Sequence, residues 1–132
     1  MSDSETLARF TDRIGDGDVE AAPLNDFVAF GWLRGIRDSA PMLELRKKTG
    51  TILAVGYSWL EKAEFDPSEG IFLDIGDQRI AIRGRNLNAE VRPGVRLFEG
   101  ITRHRVSWIL EIDGVRAMAV TDSDCVVESI DW

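Results

Sequence analysis

The 132-residue chain predicts a mostly β fold: an N-terminal helix followed by a small, strongly bent antiparallel barrel of five or more strands. Three observations carry this. Apolar and polar residues alternate over several short runs, the period of strands with one buried face. Turn signals recur about every ten residues. The intervals between them leave little room for the crossover helices that parallel strands require. The expected organisation is one domain, with 1–41 as an N-terminal helical segment, 42–121 as the barrel, and 122–132 as a C-terminal edge strand or tail.

Ser2 to Ile14 reads as a helix. Ser2 with Glu5 three positions on is a capping-box pattern, and Leu7, Phe10, Arg13 and Ile14 keep a helical spacing. Gly15-Asp16-Gly17-Asp18 closes it as a solvated acidic turn, since it lacks the dozen-residue ligand pattern ending in glutamate of a calcium loop. Over 24–36 the pattern favours a helix, with Leu24, Phe27, Val28, Trp32 and Leu33 on one face. Val28, Phe30 and Trp32 also fit alternate positions of a strand, and Gly31 and Gly35 weaken both readings.

Met42 to Lys47 is a short strand, and Lys48-Thr49-Gly50-Thr51 is its turn. Thr51 to Leu60 is apolar on both faces, with Leu53, Val55, Tyr57 and Trp59 on one and Ile52, Ala54 and Leu60 on the other. That pattern predicts a strand in the middle of a sheet or covered on both sides. Asp66 to Gly70 is a loop, after which Ile71, Leu73 and Ile75 alternate. Gly76-Asp77 is a two-residue hairpin turn into the stretch from Gln78 to Leu87. There Ile80 and Ile82 alternate with Ala81 and Arg83 until Gly84 interrupts, as glycine does where a strand bends or another backbone comes close. Arg92-Pro93-Gly94 marks the next turn. Val106, Trp108, Leu110 and Ile112 alternate with Ser107 and Glu111, a half-buried strand. Asp113-Gly114 is the strongest hairpin signal and predicts Val115 to Val120 returning alongside. Cys125 to Ile130 supplies a last edge strand or a tail.

The formal charge of −7 is uneven. Residues 79–105 carry seven arginines against Glu90 and Glu99, while the stretches before and after them are acidic. Overall acidity argues against indiscriminate nucleic-acid binding, yet the middle segment offers a local basic footprint. All its bases are arginine, suited to planar and bidentate contacts. Cys125 is alone, so no disulfide can form within the chain, and Met1 to Glu5 lacks the basic-then-apolar order of a signal peptide. No run approaches the length of a membrane span. A cytoplasmic protein without membrane contact is expected.

The stretch Ile80-Ala81-Ile82-Arg83-Gly84-Arg85-Asn86-Leu87 resembles the second motif of the Sm-like family, an apolar strand ending in Ile/Val-Arg-Gly-x-Asn/Ser-apolar. The likeness spans about 42–90, with the preceding strands in the right order. It implies a bent five-stranded Sm-like (SH3-like) barrel after an N-terminal helix, assembled as a ring. In that family the arginine and glycine after the strand contact single-stranded RNA at the inner rim, a role that falls here on Arg83 and Gly84. The family's other base-reading turn carries an asparagine, and 61–69 contains none.

Other chemistry has less behind it. His104 lies between Arg103 and Arg105, where it could titrate near neutrality or stack on a base; its cationic neighbours favour an exposed strand or turn residue. One histidine and one cysteine do not make a structural zinc site. Glu61 with Glu64, and Asp122 with Asp124, are paired carboxylates best read as solvated loop acids. Trp59 and Trp108 read as core, Trp32 as core or a subunit contact, and Trp132 as a free tail or a docked anchor. The expectation is a non-enzymatic, cofactor-free and metal-free homo-oligomer. Its candidate rim for single-stranded RNA or another polyanion comprises Arg83, Gly84, Arg85 and Asn86, with Arg103, His104 and Arg105. The competing expectation is a protein-interaction or scaffold module whose arginines pair with the acidic terminal segments and bind no nucleic acid.

Overall fold

The computed structural model describes residues 24–35 and 38–132; the expected helix over Ser2 to Ile14 and the acidic turn after it lie outside them. In chain order the elements are β1 (Leu24–Asp26), β2 (Phe30–Leu33), β3 (Met42–Arg46), β4 (Ile52–Gly56), β5 (Leu60–Asp66), β6 (Gly70–Ile75), β7 (Gln78–Arg85), α1 (Leu97–Thr102), β8 (Val106–Leu110), α2 (Gly114–Ala117) and β9 (Val126–Asp131). The domain is mostly β. Its strands form two sheets, with the orders β1-β2-β8-β3-β4 and β9-β7-β6-β5. Every pairing is antiparallel except β3 with β8.

Alternation builds the second sheet as expected. Ile71, Leu73 and Ile75 of β6 and Ile80 and Ile82 of β7 turn to one side and are buried. Ile75 pairs with Gln78, so Gly76-Asp77 is the two-residue turn of this hairpin, with Gly76 at φ 60°. Those side chains meet Phe30, Leu43, Leu45 and Ile109 of the other sheet in one core, joined by Ile130 of β9 and by Leu97 and Ile101 of α1. Full burial of each such side chain stabilises the fold by ~1.5–3 kcal/mol.

The two sheets do not close into a barrel. Thr51 to Leu60 is not one strand: a 3₁₀ turn over Tyr57–Trp59 ends β4 and starts β5 in the other sheet. The buried Tyr57 hydroxyl donates to Val106 O at 2.6 Å, drawing the chain inward at the corner, so no ladder continues across it. At the other side the sheets touch through a single parallel bridge between Glu111 and Val127. Glu111 is the one buried charged residue among those described. Its Oε1 accepts from Lys48 N at 3.0 Å and its Oε2 from Ile130 N at 2.7 Å, while Ile112 N donates to Val127 O. The carboxylate thus clasps the β3–β4 turn of one sheet to β9 of the other. Sequence alternation had placed Glu111 on the solvated face of its strand.

Other elements differ from expectation for local reasons. The helix expected over 24–36 is replaced in its described part by two short strands, Leu24–Asp26 and Phe30–Leu33: β2 pairs with β8, and the Trp108 indole covers Gly31, where a Cβ would fall 2.2 Å from its Nε1. Only glycine fits beneath that ring. Asp113-Gly114 starts a helical turn instead of a hairpin, because the Asp113 carboxylate accepts from Arg116 N and caps α2. Trp59 is not core; it is 67% exposed. Among the described residues no helix is long and apolar enough to cross a membrane.

Candidate binding cleft and the arginine segment

The end of β7 shapes a cleft of about 660 Å3 against the turn that joins β5 to β6. Two glycines set its floor. A Cβ on Gly84 would stand 2.0 Å from Val126 O, and one on Gly70, at φ 124°, would stand 2.3 Å from Ile82 O. Here three strands approach too closely for any side chain. Asn86 then takes the left-handed conformation (φ 56°), which asparagine tolerates better than most residues. Its Nδ2 donates to Asp122 O at 2.8 Å and Asp124 O at 2.9 Å, stapling the approach to β9 onto the end of β7. The facing wall is ordered by Asp66, whose Oδ1 accepts from the Ser68 hydroxyl, Ser68 N and Glu69 N. The Ser68 hydroxyl, then its amide, hold the Asp66 carboxyl below the usual carboxylate range.

Arg83, Gly84, Arg85 and Asn86 all line this cleft. Their charges are already answered. Arg83 lies 3.5 Å from Asp131 with its guanidinium over Phe72, and Arg85 lies 3.5 Å from Asp122. Asp66, Glu69 and Glu128 also line the cleft, so its acids outnumber its two arginines. Arg85 Nε is buried without a hydrogen-bond partner.

Arg103, His104 and Arg105 do not join this cleft; they form the turn between α1 and β8, which belongs to the other sheet. Arg103 pairs with Glu99. His104 is a turn residue, as expected, but half-buried rather than fully exposed. At φ 58° it stacks its ring on Tyr57, centroids 4.4 Å apart, and its carbonyl accepts from Ala40 N. Arg105 donates to the carbonyls of Gly35 and Asp38 and covers Trp32. The remaining arginines of the segment are engaged as well: Arg79 by Asp74 and Glu64, Arg92 by the Phe27 ring, and Arg96 by Asn88 O. Of the paired carboxylates, Glu64 is thus tied to Arg79, Asp122 to Arg85, and Asp124 Oδ2 to Thr121 N. Among the described residues no group of three or more His, Cys, Asp or Glu is placed to hold a metal ion.

Sequence reasoning missed a second surface. Among the described strands β4, with apolar residues on both faces, stands at the edge of its sheet, where Ile52 and Ala54 are exposed. The apolar pattern predicts a strand inside a sheet or covered on both sides, and β4 is neither among the described residues: it ends its sheet, and its Ile52 and Ala54 face is exposed.

Comparison with protein-family models, with curated proteins and with solved structures finds no match to this chain.

Proposed function

We propose that this domain is a non-enzymatic protein-interaction module whose arginine segment braces its own fold instead of gripping a polyanion. One observation carries the reading. All seven arginines between Arg79 and Arg105 are held by partners within the chain, and the residues expected to form one rim are divided between two sheets. A phosphate backbone would have to displace Asp131 and Asp122 before meeting Arg83 or Arg85, and would meet Asp66, Glu69 and Glu128 on entering. Each exposed ion pair is worth little alone, at most about 1 kcal/mol. Together with three uncompensated acids they leave a cleft without the positive footprint that counterion release requires.

The polyanion reading of the Sm-like motif keeps one point in its favour, the unpartnered Nε of Arg85 at the cleft. Fluorescence anisotropy with a labelled single-stranded oligouridylate decides between the two. The interaction reading expects no binding at about 150 mM salt, and none that Arg83→Ala with Arg85→Ala abolishes at about 50 mM. Binding whose salt slope falls by roughly 1.4 units in the double variant, about 0.7 for each lost phosphate contact on a single strand, would overturn it and restore the rim.

A further inference from the structure

We infer that the partner of β4 is a second copy of this chain, joined through an antiparallel β4–β4 ladder on a two-fold axis at Ala54. The inference names a partner for the interaction reading and rests on it only in that sense, since no arginine takes part.

The backbone comes first. Lys47 N donates to Thr51 O and Tyr57 N to Pro41 O at the two ends of the β3–β4 ladder. In an antiparallel pair only alternate residues exchange bonds. With Met42 opposite Gly56 and Leu45 opposite Leu53, residues 51, 53, 55 and 57 face β3. The amide and carbonyl groups of Ile52, Ala54 and Gly56 therefore point away from the sheet, and no described residue bonds to them. Such a row is a template for another strand.

The side chains say which strand. Thr51 to Trp59 contains no charged residue in a chain that is 30% charged, whereas β5 and β9, the edges of the other sheet, carry acids. Two copies of net charge −7 can approach here without opposing like charges. With the axis at Ala54, Ile52 falls opposite Gly56 of the second copy, and Leu53 opposite Val55. Gly56 is a bare notch on the outer face. Met42 is its ladder neighbour, and the Trp59 indole overhangs it, its Cδ1 standing 3.2 Å from where a Cβ would be. Met42, Ile52 and Trp59 are 47%, 57% and 67% exposed. The knob (Ile52) and the notch it fits lie on one strand in the antiparallel order a two-fold axis needs, so the surface is complementary to itself. A segment with the pattern of an interior strand thereby gains the second ladder neighbour that no described residue of its own copy supplies.

The contact is short, which places it among small interfaces and predicts a dissociation constant in about the micromolar range. Light scattering during size-exclusion chromatography, over a concentration series, tests it on the full chain. The wild type should shift from monomer to dimer. Ala54→Glu sets two carboxylates face to face on the axis and should weaken the dimer at least about a hundredfold. Ala54→Lys should do the same, and an equimolar mixture of the two should restore a dimer. Ala54 is exposed, so circular dichroism should show both variants folded. A wild type that stays monomeric at every concentration, or Glu and Lys variants that fail to rescue one another while folded, would overturn this inference. Neither result would touch the interaction reading, which the RNA experiment alone decides.

Discussion

Removing the Glu111 carboxylate should cost more than any other single charge in the described fold. Glu111→Ala leaves two backbone donors without an acceptor: Ile130 N, which is buried, and Lys48 N, which is partly so. An orphaned buried donor costs about 1–3 kcal/mol, with Lys48 at the lower end because water reaches it. The lost methylenes add roughly 1 kcal/mol. Against this, a carboxylate held only by amides carries a desolvation penalty that its removal returns in part. The net expectation is a loss of about 3 kcal/mol, a large share of the ~5–15 kcal/mol that holds a domain together. Glu111→Gln keeps the volume and one oxygen but turns an NH2 toward an N–H, and should cost about 2 kcal/mol. Glu44→Ala breaks only the half-exposed pair with Arg46 and should fall within about 0.5 kcal/mol of wild type. Urea denaturation reads all three at unchanged m-value, and amide hydrogen exchange at Ile130 reads the clasp itself. If Glu111→Ala matches Glu44→Ala, or leaves Ile130 as protected as in wild type, the carboxylate does not join the sheets.

Two further expectations concern the cleft and the segment that closes it. Gly84→Ala forces a Cβ to 2.0 Å from Val126 O, backbone that cannot rotate away, so β9 must shift. A loss of about 2 kcal/mol or more in chemical denaturation is expected, and a variant as stable as wild type would refute the close approach. Cys125 is buried, and burial, with Asp124 adding to it, pushes its thiol up from 9.0 to about 12. Because the folded value is raised, the contribution is complete below about pH 9 and declines as pH rises from there to about 12, by about 1.4 kcal/mol per unit. Tyr57 is raised by burial in the same sense. Cys125→Ala should flatten part of the alkaline slope, and the native thiol should react with an aromatic disulfide at about pH 8 only as fast as the protein opens. Labelling at the rate of a free cysteine would contradict the burial.

How far these features could be read from residues depends on what each residue type reports. Faces were legible: Ile80, Ile82, Ile71 and Leu73 alternate because the pleat alternates, and the structure buries them together. Gly84 marked either a bend or a close backbone approach, and Val126 provides the second. Edges, partners and corners were not legible. The Ile52–Gly56 segment reads as an interior strand because its side chains are apolar on both faces, yet the Ile52 and Ala54 face is exposed and the strand ends its sheet among the described residues. Aspartate before glycine serves equally as turn residue and helix cap, and at Asp113 the cap prevails. The arginine segment was visible as charge, but its neutralisation depends on Asp122 and Asp131, which only the pairing of β9 with β7 brings near. Six-residue α1 showed no period long enough to detect.

The parallel ladder between β3 and β8 has a consequence for the order in which the chain folds. Glu44 and Trp108 are partners in the β3–β8 ladder, yet the whole β5–β6–β7 meander lies between them in sequence. The meander needs only neighbouring segments and closes short loops. The first sheet stays in two pieces until β8 returns to slot between β2 and β3, a closure whose entropic cost must be met before any of its contacts form. Arrival of β8 is then the slow event, and it is also the moment when Glu111 comes within reach of both sheets. Until that moment β3 and β4 are a hairpin that no other described strand flanks on either side.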